Sequence, residues 1–403
     1  MINNQKISEK IYLSLYITSL VLVASYMIAT NQYAGELDSF ELNVTLTEIV
    51  SLLGLSIFGF IAAYFFYIVT KNRRLYFSIT PWRVDSKRFA NVFFAIVIVQ
   101  LVFLIVTDVG RFGSQATSSY SPIFALLNVD SLFAIFYFVT REKKAVSKYY
   151  FFSIVFIYVL FKILQGWSGV ILLILFFELH FYFKKRKIKI WPRSILILFL
   201  PLLLIASGGK VYQYVFPYKF EIRGLSISEI NYTEGVVNLT NRLTFFPISV
   251  GAYERSYDVK LNAHNDEISF REARGFFRPF TPRFLMENKE FRSINNLIKQ
   301  AFYPYIEATT STDIGFIMYS VLVFSTDMND GIILLMMTII LLLINKFIYD
   351  SFEEYRGQLD FLYFLLIMKL YYTGSPEMVF SYGSIGIIFL LPLLIGLAAI
   401  KQK

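Results

Sequence analysis

Arginines and carboxylates are dense in one stretch of the chain, residues 210–312, and their types suit one kind of chemistry. Arginine presents a planar fork of donors that matches a diphosphate or a carboxylate. Arg271, Arg274, Arg278 and Arg283 are close enough in sequence to line a mouth for an anionic lipid head group. A solvated surface of weak ion pairs is the alternative. Arg242 follows Asn238-Leu239-Thr240-Asn241 and precedes the apolar Leu243-Thr244-Phe245-Phe246-Pro247. That patch is expected to return the chain to a membrane surface, with Arg242 either facing a pocket there or snorkelling to lipid phosphates. Glu254, within Tyr253-Glu254-Arg255, is either a general base or the ion-pair partner of Arg255. Histidine is the side chain that most readily exchanges a proton near neutral pH, so His264 is either a second base or a bystander.

Other chemistries are excluded or weak. The chain has no cysteine, which removes disulfides, thiol nucleophiles and Cys-based metal sites. Two histidines, His180 and His264, leave little scope for a His-rich metal site. Glu36 and Asp38 form a near pair of acids but not an adjacent one, so no metal and no cofactor is expected.

The elements that must position these residues are membrane spans. Of 403 residues 56% are hydrophobic and only 17% charged, where a soluble domain carries about 25% charge. Apolar runs near 11–30, 47–70, 89–107, 122–140, 149–165, 167–183, 194–209, 331–349, 359–373 and 379–399 approach the roughly 20 residues that cross a bilayer. Backbone polar groups in lipid must be satisfied internally, so the runs predict helices. The expected fold is all-α: a polytopic bundle of ten spans, with helices 1–7 in residues 1–209, a large loop with short amphipathic helices in 210–330, and helices 8–10 in 331–403. The first run lacks a small-residue cleavage site after it and reads as a retained helix. Ile314–Phe324 is apolar but short, and reads as an interfacial or partly inserted helix rather than a span.

Charge orients the bundle. Basic residues gather after the second run (Lys71, Arg73, Arg74), the fourth (Arg141, Lys143, Lys144) and the sixth (Lys184, Lys185, Arg186), whereas residues 31–46 hold no Lys or Arg. The positive-inside rule places both termini and these loops in the cytoplasm and residues 210–330 outside. The net charge of +9 is thereby topological and does not call for nucleic acid. Outer cations have no such explanation. Within the runs, Lys162 is either functional or snorkelling from its helix end. Gly208-Gly209-Lys210 reads as the end of the seventh helix, with a cation at its negative pole.

This layout resembles the Wzy-type O-antigen (oligosaccharide repeat unit) polymerases. The resemblance covers nearly the whole chain and rests on three local patterns. They are the hairpin Gln165-Gly166-Trp167-Ser168-Gly169, the Asn241-Arg242-Leu243 stretch, and Thr281-Pro282-Arg283-Phe284-Leu285 followed by Lys289 and the Thr309–Thr312 stretch. The family often carries a basic residue at the hairpin, where this chain has Trp167 and, nearby, Lys162.

The resemblance implies a GT-C-like fold in a bacterial inner membrane and a metal-independent transfer. The growing glycan would move from undecaprenyl diphosphate to the non-reducing end of a new lipid-linked repeat unit. Lys210, Arg242, Arg255, Arg274, Arg278 and Arg283 are then expected to hold the diphosphate, Glu254 and then His264 to act as base, and Tyr212, Tyr214, Tyr253 and Tyr303 to stack on sugars. Expected partners are lipid-linked oligosaccharide, membrane lipids, a chain-length regulator and a flippase. A flippase or transporter of the same lipids, an O-antigen ligase and a non-enzymatic assembly protein are the alternatives.

Overall fold

The computed structural model describes residues 7–73, 85–111, 114, 116, 118–120, 129–143, 146–167, 169–185, 190–221, 230–266, 268–277, 292–304, 313–352 and 356–374. Among them the chain is all-helical, without strands; Gln32 and Glu41 form one isolated bridge. The helices are α1 (Ile7–Thr30), α2 (Leu46–Asn72), α3 (Ser86–Thr107), α4 (Asp130–Lys143), α5 (Lys148–Leu164), α6 (Gly169–Lys185) and α7 (Ile190–Glu221). Five shorter ones follow: α8 (Tyr232–Thr244), α9 (Phe246–Glu254), α10 (Ser256–Asn265), α11 (Arg271–Phe277) and α12 (Ile294–Phe302). Then come α13 (Phe316–Thr326), α14 (Met328–Ser351) and α15 (Arg356–Thr373).

Among the described residues, five helices are long and apolar enough to cross a membrane: α1, α2, α3, residues 194–215 of α7, and α14. α5 and α6 have 17 residues each. α13 has 11, about 16 Å at about 1.5 Å per residue, roughly half a hydrocarbon core. The expected run 379–399 lies outside the described residues, as does part of 122–140.

The chain divides into two compact units that do not follow its order. The first comprises Met1–Ile68, Arg186–Ile340 and Leu366–Val379. Here α8 packs against both α1 and α7, which also touch each other. One correction to the sequence expectation arises at Gly208 and Gly209: they do not end the seventh helix, which continues to Glu221. A glycine in a helix interior costs up to about 1 kcal/mol relative to alanine. Here the missing side chains admit α8. A Cβ on Gly209 would fall 2.4 Å from Val236 Cγ2, one on Gly208 would fall 2.7 Å from Leu239 Cδ2, and one on Gly235 would fall 2.5 Å from the Gly209 carbonyl. The three glycines make one close crossing.

In the polar stretch beyond α7 the described residues form short helices, two of which, α8 and α12, carry side-chain caps. Asn231 and Glu234 form a reciprocal capping box at the start of α8. Phe245, at φ 51°, closes α8 and turns the chain into α9, where Phe246 to Ala252 are all buried. Ser293 and Asn296 cap α12, whose Ile294, Leu297, Ile298 and Phe302 face inward. Arg271 knits the region: its guanidinium is buried and donates to the Ala263 carbonyl (2.9 Å), to Asp266 (3.2 Å) and to the Arg292 carbonyl. Asp330 at the start of α14 accepts the Arg271 backbone N–H (3.2 Å), and Tyr319 of α13 donates to Glu272 (2.8 Å).

The second unit comprises Val69–Lys185, Leu341–Leu365 and Phe380–Lys403. Its core is aromatic: Phe133 stacks on Tyr158 with ring centres 3.8 Å apart, and His180 stacks on Phe361 at 4.6 Å. The expected hairpin is present. Gly166, at φ 87°, lets the Trp167 N–H reach the Lys162 carbonyl and its own N–H reach that of Ile163, both at 2.8 Å, which satisfies the orphan carbonyls of α5. Lys162 is buried and pairs with Asp130 (2.9 Å) and Gln165 (2.8 Å), with Trp167 5.2 Å away. Arg141 forks onto both oxygens of Glu178 (2.9 and 3.0 Å), and Lys71 pairs with Asp360 (2.6 Å).

Candidate functional site

The site starts in the connection between α1 and α2, residues 31–45. Gly35, at φ 72°, opens a 3-10 turn over Gly35–Leu37. A Cβ at that glycine would fall 1.9 Å from Asn241 Nδ2, so the turn sits directly against the last turn of α8. Its buried Tyr33, Ala34, Leu37, Leu42 and Val44 anchor the connection, and Glu36 projects from it. Phe40 meets the rings of Phe302 (5.1 Å) and Tyr303 (5.0 Å) at the end of α12.

Arg242 lies in the last turn of α8, where the helix dipole favours a cation. Its Nη2 is 2.8 Å from Glu36 Oε1, and it hydrogen-bonds the Tyr212 hydroxyl of α7. Burial alone would pull the guanidinium down, but Glu36 and Tyr212, with Asp313 adding, outweigh it and hold it above the usual range. The side chain still keeps 38% of its surface accessible, so it is fixed without being sealed.

Asp313, just ahead of α13, completes the group. Burial pushes its carboxyl up to about 6; Lys369 pulls it down, Glu36 pushes it up and Arg242 pulls it down. Its Oδ1 is buried and has no hydrogen-bond partner among the described residues. Leaving such an atom unpaired costs about 1–3 kcal/mol, which makes it a place to look for function. Asn241, 1% exposed, has an Oδ1 in the same condition. The group therefore combines two carboxylates, two cations and a tyrosine from five segments of one unit: the 3-10 turn, α7, α8, the approach to α13, and α15.

The other expected site residues fall into different settings. Glu254 accepts from the Tyr33 hydroxyl (2.5 Å) and the Asn43 N–H (3.3 Å), with Arg255 Nε 3.7 Å away. It thus ties the 31–45 connection to α9; burial and Glu254 together push the Tyr33 phenol upward. Arg255 lies 3.6 Å from Asp258 and stands over the Phe302 ring (5.6 Å). Tyr253 donates to Glu48 (3.0 Å) and Tyr303 to the Glu36 carbonyl (2.6 Å). Lys210 bonds Gln213 (3.0 Å) and stands over the Tyr214 ring (5.1 Å); both it and Tyr214 are exposed on α7. His264 and Arg274 are exposed, on α10 and α11. Arg278 and Arg283 lie outside the described residues, and Lys162 belongs to the second unit.

Of the expected residues that the structure describes, only Arg242 and Tyr212 meet at this cluster. Sequence reasoning missed Asp313 and Lys369, and weighed Glu36 only for orientation and, with Asp38, as a weak metal pair. One signal was present: the positive-inside rule expects the connection rich in acid (Glu36, Asp38, Glu41) on the same side as the stretch rich in arginine. Among the described residues no group of three or more His, Asp or Glu side chains is arranged to hold a metal ion. No protein-family model, curated protein or solved structure matches the chain.

Proposed function

We propose that the chain is an integral-membrane glycosyltransferase that polymerises lipid-linked oligosaccharide repeat units, as the Wzy-type polymerases it resembles do. The growing glycan passes from undecaprenyl diphosphate to the non-reducing end of a new lipid-linked unit, and the diphosphate lipid leaves. The bundle then has ten spans in a bacterial inner membrane, both termini in the cytoplasm, and its site on the outer face.

One observation carries this function: an accessible arginine, Arg242, is held by Glu36 and Tyr212 beside the buried carboxyl of Asp313. Transfer from a diphosphate requires a cation already in place where negative charge develops, because reorienting it during the reaction would raise the barrier. It also requires an acceptor for the hydroxyl proton. The cluster supplies both kinds of group, and the apolar helices supply the lipid setting in which a polyprenyl carrier dissolves.

Disrupting the gene in the cell that makes this chain tests the proposal. Surface polysaccharide on a gel is expected to collapse from a ladder to a single repeat unit. Loss of all glycan would instead indicate a flippase or a ligase. Arg242→Ala, expressed at the normal level, is expected to reproduce the single-unit pattern, since losing one such donor lowers turnover by about 10²–10³-fold.

A further inference from the structure

Resting on the glycosyl transfer proposed above, we infer that Asp313 is the proton acceptor of the reaction, and that Asp313 and Asn241 together receive hydroxyls of the acceptor sugar beside Arg242. Three observations converge on this pair. Asn241 and Arg242 are consecutive on α8, and the Asn241 side chain abuts Gly35, next to Glu36, which in turn holds Arg242. Asp313 interacts electrostatically with Arg242, Glu36 and Lys369. Each of the two side chains ends in a buried oxygen that accepts nothing from the described residues. Two orphan acceptors beside a fixed cation call for a ligand that brings hydroxyl donors and a negative charge, and a sugar approaching a glycosyl diphosphate is such a ligand.

Glu254 is the poorer base on geometry, because one of its oxygens already accepts from Tyr33 and Asn43. Burial strengthens Asp313 in the same role: with its carboxyl pushed up to about 6 it is ionised at neutral pH and binds a proton more tightly than a surface carboxylate. Among the described residues, the charged and titratable groups around it are Arg242 on α8, Glu36 on the 3-10 turn, and Lys369 and Tyr372 on α15.

The step balances as a single displacement. The acceptor hydroxyl gives its proton to Asp313, and its oxygen forms a bond to the anomeric carbon of the donor glycan. The bond from that carbon to the diphosphate oxygen breaks, and its electron pair leaves with the diphosphate toward Arg242. Configuration at the anomeric carbon is inverted.

The test uses the purified full chain in proteoliposomes. Its probe is undecaprenyl diphosphate-linked oligosaccharide extracted from cells in which the gene is disrupted. Wild-type protein is expected to build a ladder at a rate that falls below about pH 6. Asp313→Asn is expected to lower turnover by about 10²–10⁴-fold, the usual effect of losing a general base. Asp313→Glu is expected to retain part of the rate with the acidic limb displaced, and Glu254→Gln to keep that limb in place. Near wild-type turnover in Asp313→Asn would overturn the inference while leaving the polymerase function standing. If Asp313→Asn does not fold, an acidic limb unmoved in Asp313→Glu would overturn it equally. No ladder from the wild-type protein would remove the polymerase function, and Asp313's role with it.

Discussion

Arg242 and Asp313 show what a side chain gains from its neighbours. An exposed arginine–carboxylate pair contributes no more than about 1 kcal/mol, and Arg242–Glu36 is accessible enough to fall in that class. The value of Glu36 is therefore orientation rather than stability. Asp313 is different, because its burial penalises the charged form. Its folded value, about 6, lies above the ordinary 3.8, so the folded chain binds the proton more tightly than the unfolded chain does. Stability at this group is thus complete below about pH 4 and declines as pH rises through about 6, by roughly 3 kcal/mol at most. Melting temperature in detergent is expected to be higher at pH 5 than at pH 7.5. Asp313→Asn should remove that part of the difference and raise the melting temperature at pH 7.5; an unchanged pH dependence would contradict the assignment.

Within the second unit, residue chemistry takes a different form. Lys162, Arg141 and Lys71 each meet a carboxylate, and Lys162 is also bracketed by Gln165 and Trp167. A lysine at a helix end in an apolar run can be recognised as costly from sequence. Which carboxylate answers it cannot, because Asp130 lies on another helix and is chosen by the packing of Tyr158 against Phe133.

At the scale of elements, the crossing of α7 and α8 positions the site. Gly208, Gly209 and Gly235 let the two helices approach, and Tyr212 lies on α7 one turn beyond Gly208 to meet Arg242 of α8. Gly235→Ala would drive a methyl group into the Gly209 carbonyl, a backbone atom that cannot move alone. Overpacking of this kind costs about 1–3 kcal/mol. The expected outcome is a lower melting temperature together with lost polymerisation. Gly54→Ala, where a Cβ meets nothing within 4 Å, is the matched control and is expected to leave both unchanged. The glycine pair was visible in the sequence, but as a helix end. Propensity predicts a break at Gly-Gly; the contact with Val236 and Leu239 reverses that outcome, and only the crossing reveals it.

For the whole molecule, the testable property is which side of the membrane each connection faces. The chain has no native cysteine, so single cysteines report without interference. Ser39→Cys and Tyr257→Cys, both at exposed positions, are expected to react with an impermeant maleimide in intact spheroplasts. Lys87→Cys, exposed at the start of α3, is expected to react only after permeabilisation. Reaction of Lys87→Cys in intact spheroplasts would invert the topology and move the arginine cluster to the cytoplasm.

The sequence by itself determined that this is a helical chain with several segments fit to cross a membrane. Apolar runs of spanning length leave the backbone no partners but its own, and that constraint is local. It also determined the hairpin at Gly166, because a positive φ at a helix end favours glycine. It singled out Arg242 as a cation without a topological reason. The tertiary structure alone decided that Glu36 is its counter-ion, that Asp313 interacts with it and with Lys369, and that Glu254 is engaged by Tyr33. Periodicity and composition act over a few helical turns. The cluster joins segments that begin near residue 36 and end near residue 369, and such segments meet only where helix crossings and buried aromatic contacts bring them together.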